Sequence, residues 1–294
     1  MKIDKIVQLL KESGAFAWRI TDTLTKGWEF YFIRHSLDQN RSKDLENIQI
    51  TVFVLSEDGK SVGSATAEMG PDETEEYCRL MIRDLIFQAG LVKDAYYELK
   101  TPGSDLVGKE QEIDINGISA DFIDMMKNIR EDDVTFLNSY EIFVSSVKRR
   151  IISSTGIDVT ETYPVSLLET VVNAKNSEHE IEFYKLYDSG TCIRDDMSSD
   201  LGKTFLYGRD RLSAKKTPSL GKYDVVFSGE DAVRLYEFFK DGLDAANIYM
   251  KYSLFKKGTP IADDVKGDKV TLKALRELPG SSLNRMTDSE GSII

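Results

Sequence analysis

The chain has 294 residues, 41% hydrophobic and 30% charged, which is the make-up of a globular protein with ample core. With 38 basic against 50 acidic residues its net charge is −12, and without a basic stripe it is a poor ligand for phosphate backbones, so direct nucleic-acid binding is excluded. The densest basic stretches, VKRR at 147–150 and SAKK at 213–216, are short and read as solvated faces. Two cysteines, Cys78 and Cys192, stand in no metal spacing. With no leader pattern and no apolar stretch of ~20 residues, the expectation is a reduced, cytoplasmic chain with no membrane partner.

From the N-terminus, Ile3, Ile6, Val7 and Leu10 share a helical face that Gly14 ends. Strand-like stretches follow at 15–23, 28–42, 47–59 and 60–69, with Glu57-Asp58-Gly59 as a hairpin signal. Pro71 and the acids after it open a helix carrying Tyr77, Leu80, Met81 and Leu85. Residues 100–117 have linker composition. Phe122, Met125, Met126 and Ile129 then mark a helix, β-rich sequence runs over about 134–188, and helix returns at 194–216. Beyond the turn-rich 217–221, the apolar YDVVF at 223–227 reads as a strand feeding a long helical pattern, with another strand at 268–278.

The fold expected is α+β: an N-terminal helix–strands–helix domain (1–105), a similar middle α+β region (106–216) and the start of a β-rich C-terminal domain (217–294).

Candidate chemistry is thin. His179-Glu180 begins like a zinc-peptidase motif, but HEIEFYKL has no second histidine one turn later, so a polar surface histidine is expected. His35, near Arg34, Asp38 and Arg41, reads as a solvated strand end. SSTG and FSGE lack a nucleophile elbow, and no phosphate-binding glycine loop is present. The acidic runs at 131–133, 194–196 and 262–264 lack EF-hand spacing and read as loops and helix starts. Trp28, Phe30 and Phe32 alternate with Tyr31; core packing is the plain reading, and an open sheet edge gripping an extended peptide is the functional one. No catalytic, cofactor-binding or metal residue is assigned from the residues.

Several ordered stretches together resemble the TldD/PmbA family, also called TldD/TldE and formerly modulators of DNA gyrase. They are WEFYFIRHSLDQNRSKDLENIQITVFVLSEDGKSVGSATAEM, NSYEIFVSSVKRRIISSTGIDVTETYP, PSLGKYDVVFSGEDAVRLYEFF and the terminal Asp288-Ser289-Glu290-Gly291. The resemblance implies a cytoplasmic peptidase system, in which a TldD-type subunit holds zinc through an HExxxH helix and a later cysteine. It pairs with a TldE/PmbA-type subunit that lacks those ligands. In the family register the zinc helix begins near Glu237, where this chain reads Tyr236-Glu237-Phe238-Phe239-Lys240-Asp241-Gly242. No zinc ligand carries over, Cys192 lies too far upstream to serve, and the likeness implies a chain shorter than the family pattern.

The function so implied is a metal-free partner subunit of a peptide-processing metallopeptidase complex. Its partners would be a TldD-like zinc subunit or a second copy, with extended peptide as substrate. The alternatives are a metallopeptidase whose site assembles from His35, His179 and acids converging in space, and a DNA gyrase modulator acting through protein contacts.

Overall fold

The computed structural model describes residues 3–103, 106–216, 219–260, 266–268 and 270–294. Helix α1 (Ile3–Glu12) leads into strands β1 (Ala17–Ile33), β2 (Ser36–Leu55) and β3 (Ser61–Met69), helix α2 (Glu75–Leu91) and the short β4 (Asp94–Ala95). Helix α3 (Ile115–Lys127), strands β5 (Thr135–Ser153), β6 (Asp158–Lys175) and β7 (Glu180–Ser189), and helix α4 (Arg194–Leu212) follow. The chain divides into two compact units, Met1–Ala214 with Leu275–Ile294, and Lys215–Ala274. The second contains α5 (Gly229–Leu243) and α6 (Ala245–Tyr249). The α+β class expected from the sequence is the class observed.

In the first unit the described strands form one seven-stranded antiparallel sheet, β4-β3-β2-β1-β5-β6-β7. Residues 1–105 and 106–216, expected as separate domains, each build half of it and meet at the β1–β5 pair, from Arg19↔Ser153 to Ile33↔Ser139. Alternation along the strands decides what each face meets. Ile20, paired with Ile50 on one side and Ile152 on the other, joins Leu9, Leu10, Ile82 and Leu85 of α1 and α2 in one core. Phe32, stacked on Tyr140 at 4.5 Å, joins Phe122, Met126, Leu201 and Phe205 of α3 and α4 in the other. All four helices therefore lie on one face. Burying a Leu, Ile or Phe contributes about 1.5–3 kcal/mol each, so these cores dominate the unit's stability. Gly63 is required where β3 passes under α2, because a Cβ there would collide with the carbonyls of Ala89 and Val92.

Two local expectations are corrected. WEFYFIRHSLDQNRS is a hairpin: Ile33 pairs with Ser36, and Arg34, at φ 56°, turns the chain. β6 itself runs on through Pro164, which its edge tolerates because β7 pairs only from Ser166 onward. The strands expected at 223–227 and 268–278 are not formed among the described residues, where no neighbouring strand offers hydrogen bonds.

Candidate functional site

The helix-free face of the sheet carries the most constrained polar centre. Arg149 on β5 and Glu161 on β6 are direct cross-strand partners whose side chains meet on that face. Glu161 is only 3% exposed, and a carboxylate so far from water needs hydrogen-bond partners. Both oxygens have them. Oε1 accepts from the Arg149 guanidinium and from Thr287 Oγ1 at 3.1 Å, and Oε2 accepts from the Met286 backbone N–H at 2.8 Å. Arg149 also donates to the Thr287 carbonyl at 2.6 Å.

The groups that close this network belong to residues 278–294, which lie along the same face. Arg285 stacks 3.4 Å over the Tyr163 ring, Gly190 N–H donates to the Gly280 carbonyl at 2.8 Å, and Arg19 pairs with Glu290 at 3.3 Å. Asp288-Ser289-Glu290-Gly291 is the turn that closes the segment. Asp288 Oδ1 accepts from the N–H of Glu290 and Ser292, and Thr287 bridges to Ile293. Gly291 has φ 84°, and a Cβ there would strike Ile157, so the glycine is dictated by the turn. Beside Glu161 a cavity of about 210 Å³ is lined by Lys109, Tyr163, Gly280 and Arg285 among others. With both oxygens engaged, one by Arg149 and Thr287 and the other by the Met286 N–H, the carboxylate is a latch for this segment.

A second, larger cleft of about 980 Å³ opens on the helical face, lined by Asp22, Glu46, Glu110, Lys148 and Arg150. Lys148 reaches Glu110 at 2.5 Å, and Arg150 grips Asp158 through two bonds of 2.9 Å. That leaves Asp22 Oδ1 buried with no donor among the described residues. Burial, and then the nearby Glu46, push the Asp22 carboxyl above the usual range.

The residues singled out in the sequence are scattered. His35 Nε2 lies 3.1 Å from Glu131 Oε1, an oxygen that also accepts from the Leu137 N–H at 2.7 Å, so it pins the β1–β2 turn to the start of β5. His179 sits in the β6–β7 turn, its N–H capped by Asn176, and Glu180 pairs with Lys175. Among the described residues no three His, Cys, Asp or Glu side chains are grouped so as to hold a metal ion. Cys192 touches Met125 Sδ at 3.8 Å, and burial pushes its thiol up to about 11, which leaves little thiolate at neutral pH. Cys78 is buried and shifted the same way. Glu131 and Asp132 shape the turn before β5, and Asp195 and Asp196 lie in the first turn of α4; the run at 262–264 lies outside the described residues.

Trp28, Phe30 and Tyr31 belong to β1, which has β2 on one side and β5 on the other, so no edge is open there for an added strand. Glu237 is exposed on α5, while Phe238, Phe239 and Phe255 pack together with ring centroids 5.4–6.2 Å apart. VKRR is only partly a solvated face, because Arg149 is drawn in by Glu161. Arg149, Glu161, Thr287 and Asp22 were missed: no local pattern marks them, and strand register alone brings them into place.

No family model and no curated protein matches this sequence. Solved structures do. A proposed modulator of a DNA gyrase from Thermotoga maritima superposes over 99% of this chain with a TM-score of 0.65 at 19% identity. TldE from Thermococcus kodakarensis does so over 99% with a TM-score of 0.66 at 13% identity. The chain shares their fold. A proposed modulator of DNA gyrase from Bacteroides thetaiotaomicron matches 84% of it with a TM-score of 0.60 at 15% identity. This chain spans 65% of the length of the first two and 57% of the third. Among the described residues no helix is long and apolar enough to cross a membrane.

Proposed function

We propose that the chain is a TldE-like member of the TldD/PmbA family, a non-catalytic subunit that joins a zinc-bearing partner in a peptide-processing complex. The observation that carries this reading is the pairing of a TldE-like fold with the composition of α5. By the register that the family resemblance implies, the zinc helix begins near Glu237, and α5 there reads Tyr236-Glu237-Phe238-Phe239 with no histidine. A lone, exposed carboxylate is one oxygen ligand, and zinc sites of this kind need three protein ligands on a fixed geometry. The two thiols, raised by burial, are poor substitutes. In this reading the contribution of the chain is shape and contact.

The experiment is co-expression with a TldD-like zinc protein, followed by metal analysis and peptide degradation with and without this chain. The expected result is a stable complex, zinc found only in the partner, and degradation that depends on both. Stoichiometric zinc and peptidase activity in this chain alone would overturn the proposal.

A second reading, contact with gyrase, is favoured only by the descriptions of two of the fold neighbours. The acidic surface suits a protein partner better than DNA. Recovery of gyrase without any TldD-like protein in a pull-down would favour it.

A further inference from the structure

β2 is 20 residues long, but β3 pairs only with Ile48–Leu55. Over residues 39–47 it has β1 on one side and no strand on the other among the described residues. Nearly all of these residues are exposed, and none is proline or glycine, so the outer edge presents alternate N–H and C=O groups to solvent.

Pairing with β1 fixes where the side chains lie. Arg41 stands opposite Glu29 and Lys43 opposite Gly27, which puts both cations on the helix-free face. Asp44 stands opposite Lys26 and Glu46 opposite Leu24, which puts both acids on the helical face. The strip is positive on one face and negative on the other. β1 already answers this code from its own side: Lys43 lies 3.5 Å from Glu29, Asp44 lies 3.6 Å from Lys26, and Arg41 lies 5.0 Å over the Tyr31 ring.

The code decides which partner fits. Two copies joining these edges antiparallel would be related by a two-fold axis normal to the sheet, and that axis sets like face beside like face. Depending on register, Arg41 or Lys43 would then meet a cation of the other copy, or Asp44 or Glu46 an acid, and in none would a cation of this set meet an acid of it. Like charges directly opposite are destabilising, so self-pairing is opposed.

We propose that residues 39–47 of β2 accept an added antiparallel strand from a different polypeptide, one whose charges complement both faces. Read from its N-terminus, that strand carries two basic residues one apart, opposite Glu46 and Asp44. Two acidic residues one apart follow, opposite Lys43 and Arg41, giving the pattern Lys-x-Lys-Glu-x-Glu. Backbone bonds supply the affinity and the charge pattern supplies the choice. The proposal does not rest on the metal-free subunit reading above.

The test uses the whole chain and two labelled peptides, Thr-Lys-Val-Lys-Glu-Val-Glu-Thr and Thr-Lys-Val-Lys-Lys-Val-Lys-Thr, by fluorescence anisotropy at roughly 0.15 M salt to screen diffuse attraction. The first should bind the native chain about tenfold more tightly than the second. In the double variant Arg41→Glu/Lys43→Glu the preference should invert, with the all-basic peptide then slowing exchange of the amides in 39–47, a result that an unfolded acidic chain cannot produce. Hydrogen exchange of amides in 39–47 should slow when the first peptide is bound. Preference for the all-basic peptide by the native chain, a preference unchanged in the variant, or protection elsewhere would overturn the proposal. So would a native chain that dimerises through this edge.

Discussion

Helices α2 and α5 are built to similar patterns and meet opposite fates. α2 runs 17 residues from its Thr74 cap and buries Cys78, Ile82, Leu85 and Ala89 against β2 and β3. α5 runs 15 residues with acids in its first turn and a lysine in its last, and buries none. Around it the second unit leaves Val226 91% exposed and Leu254 84% exposed. Patterning and end charges suffice to write a helix into a sequence, but most helical stability comes from the surface it is packed against. The first unit supplies such surfaces through its sheet. The second supplies the aromatic trio of Phe238, Phe239 and Phe255 and little more.

The sharpest way to break this contrast is at the latch of the first unit. Glu161→Ala would leave Arg149 buried without its carboxylate and the Met286 N–H without its acceptor. Removing one partner of a buried pair costs about 3–5 kcal/mol. Denaturant unfolding should show that loss, and amides in 285–294 should exchange fast at native conditions, far below the protection of β5. Retained protection there would mean that Tyr163 and Gly190 hold the segment without Glu161.

The next pair of substitutions sets the helices side by side. Leu85→Ala empties a position in a packed core and should cost about 2–5 kcal/mol. Leu235→Ala, at a residue 51% exposed on α5, should stay within about 0.5 kcal/mol. Native-state hydrogen exchange should rank α2 near the global stability and α5 well below it. Equal costs would show that α5 is packed as α2 is.

That contrast also marks how far the sequence could be read. Helix faces such as Phe122-Met125-Met126 and the alternation of Trp28, Phe30 and Phe32 along β1 are local periodicities, and they were legible. The β1–β2 turn was not, because Arg34 takes a left-handed φ without the glycine or asparagine that usually announces it. The helix at α5 was legible as a helix, while its lack of a packing surface was not, since burial is decided by residues far away in sequence. The latch was hidden for the same reason: Glu161, Arg149 and Thr287 are separated by 12 and 126 residues and meet only through strand register. Asp288-Ser289-Glu290-Gly291 was noticed as a motif, and its role as the turn closing the latched segment came only from the fold.

The smallest effect expected is at Asp22, where the first unit tolerates a polar group it does not satisfy. Its Oδ1 is buried without a donor, and burial followed by Glu46 raises its carboxyl above the usual range despite Arg150 and Lys148 nearby. A carboxyl whose folded pKa is raised binds its proton more tightly in the native state than in the unfolded chain. Its contribution is therefore most favourable below the unfolded value of 3.8 and is lost as pH rises through the raised folded value. At neutral pH the charged form opposes folding. Asp22→Asn removes that charge while keeping the shape, so thermal unfolding at pH 7 should occur at a higher temperature than in the native chain. The gap should narrow as pH falls through the raised pKa and close below about 3.8, where both side chains are neutral. A substitution that lowers the midpoint at pH 7 would instead mean that Arg150 and Lys148 hold Asp22 as a working ion pair, and the cleft would then be as fully satisfied as the latch on the opposite face.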